Sequence, residues 1–127
     1  MPDPWQVELF LHQFKRAWLP DCIVVDRGKN NQALADLEFT PYQRRNLVLA
    51  LTVENYSEGP FVDHQDPNQR VWIFGAEAGG REVYVKLALK EGSGLFRAKC
   101  LSFHAAEQGL VYPFARPVEG GCGDVGS

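Results

Sequence analysis

The sequence lacks the features of several common protein classes. No apolar run approaches the roughly 20 residues that a membrane-spanning helix needs, and the N-terminus has acidic and polar residues where a signal peptide has a basic and then an apolar segment. The three cysteines, Cys22, Cys100 and Cys122, form no C-x-x-C pair that would suggest zinc or a redox dithiol. We therefore expect a cytoplasmic protein that needs no metal or other cofactor, with Cys100 in or near the core.

Three familiar motifs are also missing: the phosphate-binding G-x-x-x-x-G-K-[ST], the zinc-protease H-E-x-x-H and the hydrolase G-x-S-x-G. The chain of 127 residues, 45% of them apolar, is long enough for one domain with a modest core. Its net charge is −3, but the segment from Arg81 to His104 holds five basic and two acidic residues. A basic surface on an acidic body suits a partner that carries phosphate.

The stretch from Gln69 to Ala105 predicts a three-stranded antiparallel meander. Gly79-Gly80 and Glu91-Gly92-Ser93-Gly94 separate three runs rich in β-branched and aromatic residues, as turns do between strands. The middle run alternates between an apolar face and a polar face, which consist of Val83, Val85, Leu87 and Leu89 and of Tyr84, Lys86, Ala88 and Lys90. One face is expected to cover a core and the other to remain open.

Two proline-led segments before the sheet predict helices. Asp3-Pro4 and Thr40-Pro41 each place an N-cap residue ahead of a proline in the first helical turn. The first helix is expected to end at Pro20 and to bury one stripe at helical spacing, which consists of Val7, Phe10, Leu11, Phe14 and Trp18. A further short helix is predicted over 32–38, and residues 22–25 are expected to form a short strand or a buried connection.

Two polar stretches flank the predicted sheet. From Glu54 to Asn68, two prolines and several turn formers predict a long loop, which holds Tyr56. After the sheet, residues 107–114 are expected to tuck an aromatic pair against the body, and the glycine-rich residues 115–127 predict a flexible tail. We therefore expect one small α+β domain over 1–114, with N-terminal helices packed on a curved antiparallel sheet of three or more strands.

Side chains from all three predicted strands are candidates for one site. Tyr84 and Lys86 project from the same face of the central strand, Arg70 begins the first strand and His104 ends the third. Both outer strands flank the central one, so these four groups are expected to converge. The third strand divides into a face of Cys100, Ser102 and His104 and a face of Arg97, Lys99, Leu101 and Phe103. If the large apolar pair faces the core, the histidine lies on the open side.

A tyrosine, a lysine, an arginine and a histidine around one hollow suit cleavage of an RNA phosphodiester. The reaction needs a base for the 2′-hydroxyl proton, an acid for the departing 5′-oxygen, and cations for the charge on phosphorus. Histidine can act as acid or base near neutral pH, and Lys86 and Arg70 can stabilise the phosphorane electrostatically. A histidine that ends a strand is also commonly a surface group without a catalytic role.

Several segments between Arg44 and Glu107 carry a resemblance to a known family. They are RRNLVLALTVENYSEGP, the strand pair VWIFG and REVYVKLAL, and CLSFHAAE, and the segment DRGKNNQALADLE over 26–38 is similar as well. In these segments the chain resembles the MqsR family of type II toxins, ribosome-independent mRNA interferases of the RelE-like group. The resemblance implies a compact α+β fold and metal-independent cleavage of single-stranded mRNA. It also implies a cognate antitoxin, often with a zinc-binding segment and a helix-turn-helix domain.

The resemblance extends to individual positions. Tyr84 and Lys86 match the family's tyrosine and lysine on the central strand, and Tyr56 matches an aromatic position in the loop. The catalytic hypothesis therefore comprises Lys86, Tyr84, His104, Arg70 and Tyr56. We assign RNA binding to Arg81, Lys99 and Trp72.

Three positions depart from the family's pattern. Ser57 stands where members have a lysine after the loop tyrosine, Ile73 where some have a glutamine, and His104 where some have another basic residue. The change at Ser57 removes a phosphate contact, and this favours an alternative hypothesis. In that alternative, the chain is a noncatalytic module that binds RNA or protein through its basic sheet face.

Overall fold

The computed structural model describes residues 2–18, 23–24, 35, 39–92 and 95–115. Its elements follow in the order α1 (Pro4–Trp18), β1 (Ile23–Val24), α2 (Pro41–Leu49), a short 3-10 helix (Val53–Asn55), β2 (Tyr56–Asp63), β3 (Asp66–Ala78), β4 (Arg81–Gly92) and β5 (Leu95–Ala105). The strands form one sheet in the order β1-β5-β4-β3-β2, in which β1 runs parallel to β5 and the other pairs are antiparallel. The predicted α+β class and the meander are confirmed.

The predicted loop over 54–68 is wrong, because most of it is strand. Tyr56 pairs with Phe74 and Phe61 with Val71, so β2 extends the meander to four antiparallel strands. Pro60 is tolerated because β2 is the edge of the sheet, where a missing N–H leaves no neighbour unpaired. Register shifts on both sides of Glu58 interrupt the alternation that would have marked a strand in the sequence.

The helices cover one face of this sheet. The predicted stripe of α1 is buried, and Phe10 stacks on Trp72 of β3 at a ring-centroid distance of 4.5 Å. At the start of α2, Thr40 Oγ1 accepts from the Gln43 amide while Gln43 Oε1 accepts from the Thr40 amide. This capping box confirms the second predicted helix start. No described helix is long and apolar enough to cross a membrane.

The strand connections follow the local sequence. Gly79 and Gly80 form the two-residue turn between β3 and β4, with φ of 61° and 77°. Positive φ at both central residues is what the tightest hairpin turns require, and glycine adopts it at little cost. Ile23 and Val24 form a two-residue strand. Of the predicted helix over 32–38 only Ala35 is described, and Pro20 and the tail beyond 115 lie outside the described residues.

A β-bulge in β5 changes which side chains share a face. Lys86 pairs with Ser102, but the next β4 residue, Leu87, pairs with Cys100, so Leu101 is the extra residue of the bulge. Strict alternation placed Arg97 and Lys99 on the face of Phe103. Because of the bulge, Lys99 lies opposite Ala88 and Arg97 opposite Lys90, on the open face.

The same bulge moves Cys100 to the helix-covered face. There it joins the main core with no exposed area, and burial raises the pKa of its thiol to about 12. The expectation of a core thiol is confirmed, although the face differs from the one that alternation indicated. Leu101 instead packs with Val71 and Ala88 as a small apolar cluster separate from the main core.

Candidate functional site

The candidate site is a cavity of about 740 Å³ on the open face of the sheet. It lies where β4 begins and β5 ends, beside residues 106–115, which we call the C-terminal segment. Strands supply one side of the cavity and the segment after β5 supplies the other. Its lining comprises Ser57, Glu58, Tyr84, Lys86, Ser102, His104, Glu107, Gln108, Gly109, Leu110, Val111 and Pro113. Three of the predicted catalytic residues, Tyr84, Lys86 and His104, therefore meet in one hollow.

Tyr84 and His104 form the centre of the site. They are direct partners across β4 and β5, and their rings stack with centroids 5.0 Å apart and planes within 14°. Directly opposed residues of an antiparallel pair bring their side chains this close as a consequence of strand spacing. Lys86 lies two residues along the same face, opposite Ser102.

The backbone fixes the tautomer of His104. Its Nδ1 lies 2.9 Å from the carbonyl oxygen of Ala105, and a carbonyl can only accept a hydrogen bond. Nδ1 therefore carries the proton in the neutral ring, and Nε2 carries the lone pair. This is the arrangement in which Nε2 can accept a proton from a ligand.

The charges around the cavity are mixed. Burial, followed by the negative charge of Glu58, raises the pKa of Tyr84, so its phenol stays protonated at neutral pH. Lys86 forms no ion pair with any described residue. An ammonium group without a carboxylate partner, beside a phenol that can donate a hydrogen bond, is suited to an anionic ligand.

Glu82 holds the C-terminal segment in place as the far wall of the cavity. Its carboxylate accepts from the Leu110 amide at 3.1 Å and from the Tyr112 hydroxyl at 2.5 Å, and its carbonyl accepts from the Ala106 amide at 2.8 Å. Burial, together with the bond to Glu82, raises the pKa of Tyr112. The segment passes so close to the sheet that a methyl group at Gly75 would overlap Tyr112 and Leu110.

Five predicted site residues are not brought to this cavity, and three of them lie on the helix-covered side. Arg70 and Trp72 lie on the helix-covered side and line a second cavity of about 870 Å³ beside α1. Tyr56 is 2% exposed, donates its hydroxyl hydrogen to the Gly59 carbonyl at 2.5 Å and stacks on Phe114. The predicted convergence of Arg70 and Tyr56 with Tyr84 is wrong, because both project to the covered side of their strands.

The three residues assigned to RNA binding lie in different parts of the sheet. Arg81 begins β4 opposite Ala78, at the hairpin end of the sheet, outside the lining of the cavity. Trp72 stacks on Phe10 in the core. Lys99 lies on the open face but further along β5 than the cavity. Of the departures from the family's pattern, Ser57 lines the cavity and Ile73 pairs with Lys86 on the open face.

Little in the sequence indicates the wall of the cavity. Glu82 and Gly75 look like an ordinary surface carboxylate and a strand glycine, and only contacts with residues about 30 positions away give them a role. The predicted packing of an aromatic pair from 107–114 is confirmed, since Tyr112 reaches Glu82 and Phe114 stacks on Tyr56 at 5.2 Å. A glycine inside a strand was the available signal for a close approach.

Comparisons of the chain with protein families, with curated proteins and with solved structures found no match. The resemblance to the MqsR family therefore depends on the residues quoted for it. Among the described residues, no three histidine, cysteine, aspartate or glutamate side chains are grouped so that they could hold a metal ion.

Proposed function

We propose that this protein is an endoribonuclease that cleaves single-stranded mRNA by attack of a 2′-hydroxyl on the adjacent phosphodiester. The observation that carries the proposal is the stacked pair Tyr84 and His104 beside the unpaired Lys86 in one open cavity. These groups offer a proton acceptor, a proton donor and a fixed positive charge. Those are the three parts that the reaction needs.

In the proposed reaction, His104 Nε2 takes the proton of the 2′-hydroxyl. The 2′-oxygen bonds to phosphorus, and the bond between phosphorus and the 5′-oxygen breaks. The Tyr84 phenol gives its proton to the departing 5′-oxygen, and solvent later carries a proton from the imidazolium back to the phenolate. The products are a 2′,3′-cyclic phosphate and a 5′-hydroxyl, so atoms and protons balance.

Lys86 supplies the charge for this step. Negative charge builds up on the nonbridging phosphate oxygens in the transition state, and an ammonium group already fixed nearby stabilises it without reorganisation. Its position two residues from Tyr84 on the same face supports contact of both groups with one phosphate. The flat ring pair is also suited to stacking a nucleobase.

The biological role that we propose is that of the toxin in a type II toxin-antitoxin system. Support comes from the quoted resemblance to the MqsR family and from the cavity that Tyr84 and Lys86 of the central strand line together. Such a protein would act on mRNA in the cytoplasm and would be neutralised by a cognate antitoxin. The sequence of that antitoxin is expected to include a zinc-binding segment or a helix-turn-helix domain.

The test is to incubate purified protein with a mixed-sequence RNA and to map new ends. Discrete 5′-hydroxyl ends are expected from the parent, and Lys86→Ala with His104→Ala should reduce their formation by roughly 10² or more. A matched control is Arg16→Ala with His12→Ala, which removes one cation and one imidazole from the exposed side of α1. RNA that is bound but stays intact would instead support the noncatalytic alternative, and equal cleavage by the site variant would contradict the assigned residues.

A further inference from the structure

We propose that the open face of the sheet binds the nucleotides that flank the cleaved bond, along a basic stripe formed by Lys86, Lys99 and Arg97. The inference rests on the proposed function, because it extends the same site. It identifies the substrate as a single strand several nucleotides long. The basic stripe exists only because of the bulge at Leu101, which turns Lys99 and Arg97 to the side of His104.

The basic stripe is continuous with the site. Lys86 lines the cavity, Lys99 lies opposite Ala88 one step further along the open face, and Arg97 lies opposite Lys90 one step beyond that. Six residues separate Tyr84 from Lys90, so this path is about 20 Å long at the rise of an antiparallel strand. A stacked strand advances about 3.4 Å per nucleotide along its axis and an extended strand advances further, so the path has room for at most about six nucleotides.

The charges of the open face favour a phosphate chain on one side of the sheet. Lys86, Lys99 and Arg97 form no ion pair with a described residue, so each is available to an anion. Lys90 differs, because Asp66 pairs with it at 2.7 Å. Glu58 and Glu107 line the cavity and Glu82 belongs to β4, so a polyanion would find the basic stripe from Lys86 to Arg97 favourable rather than the whole of β4 and β5.

The surface beneath the basic stripe suits a flexible single strand. Val71, Ala88 and Leu101, one each from β3, β4 and β5, form a small buried apolar cluster on this face, and the rings of Tyr84 and His104 lie further along the same face. Unpaired bases can lie against such aromatic rings while their phosphates reach flanking lysines and arginines. A duplex keeps its bases stacked inside and cannot use the Tyr84 and His104 rings in this way.

The closing experiment measures binding and cleavage separately. Binding uses 2′-O-methyl RNA of three and of ten nucleotides, which cannot undergo 2′-hydroxyl attack, and is followed by fluorescence anisotropy over a range of salt concentrations. The test variant is Arg97→Ala with Lys99→Ala. The matched control is Arg16→Ala with Arg44→Ala, which removes two charges from the helices, and thermal unfolding checks that both variants are folded.

We expect the test variant to bind the ten-nucleotide RNA about tenfold more weakly and the three-nucleotide RNA almost unchanged. For the test variant, the slope of the logarithm of the binding constant against the logarithm of the salt concentration should be smaller in magnitude by about 1.4. Each lost phosphate contact of a single strand contributes about 0.7 to this slope. The control should stay within twofold of the parent. Equal loss in the control, an unchanged ten-nucleotide affinity, or equally tight binding of a duplex would overturn the inference.

Cleavage of unmodified ten-nucleotide RNA separates the two proposals. If the parent cuts no RNA but its binding depends on Arg97 and Lys99, the nuclease proposal fails and the basic stripe stands as a binding surface. If the parent cuts RNA and the test variant cuts it equally well at every salt concentration, the basic stripe fails and the nuclease proposal stands.

Discussion

The two faces of the sheet are built from alternate residues of the same strands, yet they differ in almost every property. The covered face packs aromatic rings against α1, as in the stack of Phe10 on Trp72. The open face carries Tyr84, Lys86 and His104 around a cavity. Residues that stabilise the core therefore alternate along each strand with residues of the proposed site. Of two neighbouring residues, one should affect mainly the free energy of unfolding when it is mutated and the other mainly the proposed activity.

The largest expected effect comes from one adjacent pair, Phe103 and His104. Phe103 is fully buried in the main core, so Phe103→Ala should lower the free energy of unfolding by about 3–5 kcal/mol. His104→Ala should cost only about 1 kcal/mol, the size of a ring-stacking contact, while removing RNA cleavage. Urea unfolding and the RNA-end assay measure both quantities. A large stability loss in His104→Ala would mean that the faces are not separable.

The second expected effect concerns the bulge. Deleting Leu101 removes the extra residue of the bulge and leaves both halves of β5 in their present register, so the chain should still fold. The free energy of unfolding should fall by about 2–3 kcal/mol, which is the stabilisation that one buried leucine side chain contributes. Deleting Val85 from the regular strand β4 is the control, because it moves every later side chain to the opposite face. Unfolding of both deletions would show that Leu101 does more than fill the bulge.

The third expected effect concerns the wall of the cavity. Gly75→Ala places a methyl group against Tyr112 and Leu110, and the resulting overpacking should cost about 1–3 kcal/mol and displace the segment. RNA cleavage should fall with it. Gly109→Ala is the control for stability alone, since no atom beyond its chain neighbours lies within 4 Å of the added carbon but Gly109 itself lines the cavity. Parental cleavage activity in Gly75→Ala would indicate that the wall does not shape the site.

The smallest expected effect is a pH dependence at the far end of the open face. A hydrogen bond from Lys90 and one from the Asn68 amide hold the pKa of Asp66 below its usual range. A lowered carboxyl pKa contributes stability that is present above its ordinary value, about 3.9, and is lost as the pH falls through the folded value. Asp66→Asn should therefore flatten the acid limb of the stability profile.

Urea unfolding between neutral pH and about pH 3 measures this flattening. Lys90→Ala should lower the free energy of unfolding at neutral pH by a similar amount. The double variant should lose less than the sum of the two single variants, because each single variant already removes the same ion pair. Additive losses would mean that the two groups do not act on each other. High salt should weaken the effect in every variant, as it does for exposed charges.

Local patterns in the sequence predicted a large part of this arrangement. The alternation in β4, the Gly79-Gly80 turn and the buried stripe of α1 each appear in the structure as expected. Tyr84, Lys86 and His104 were assigned to one site on that basis. Arg70, Trp72 and Tyr56 were assigned to it as well, but their strands turn them to the covered side, where aromatic rings gain most from burial.

The sequence by itself determined the elements that depend on neighbours within a few residues: helix caps, a glycine turn, and the two faces of the central strand. Only the tertiary structure decided the rest, which includes the strand pairing of 56–63, the bulge at Leu101 and the passage of Tyr112 over Gly75. The reason is physical. Strand register and close approaches are set by the summed contacts of segments tens of residues apart, and no local window of sequence contains those contacts.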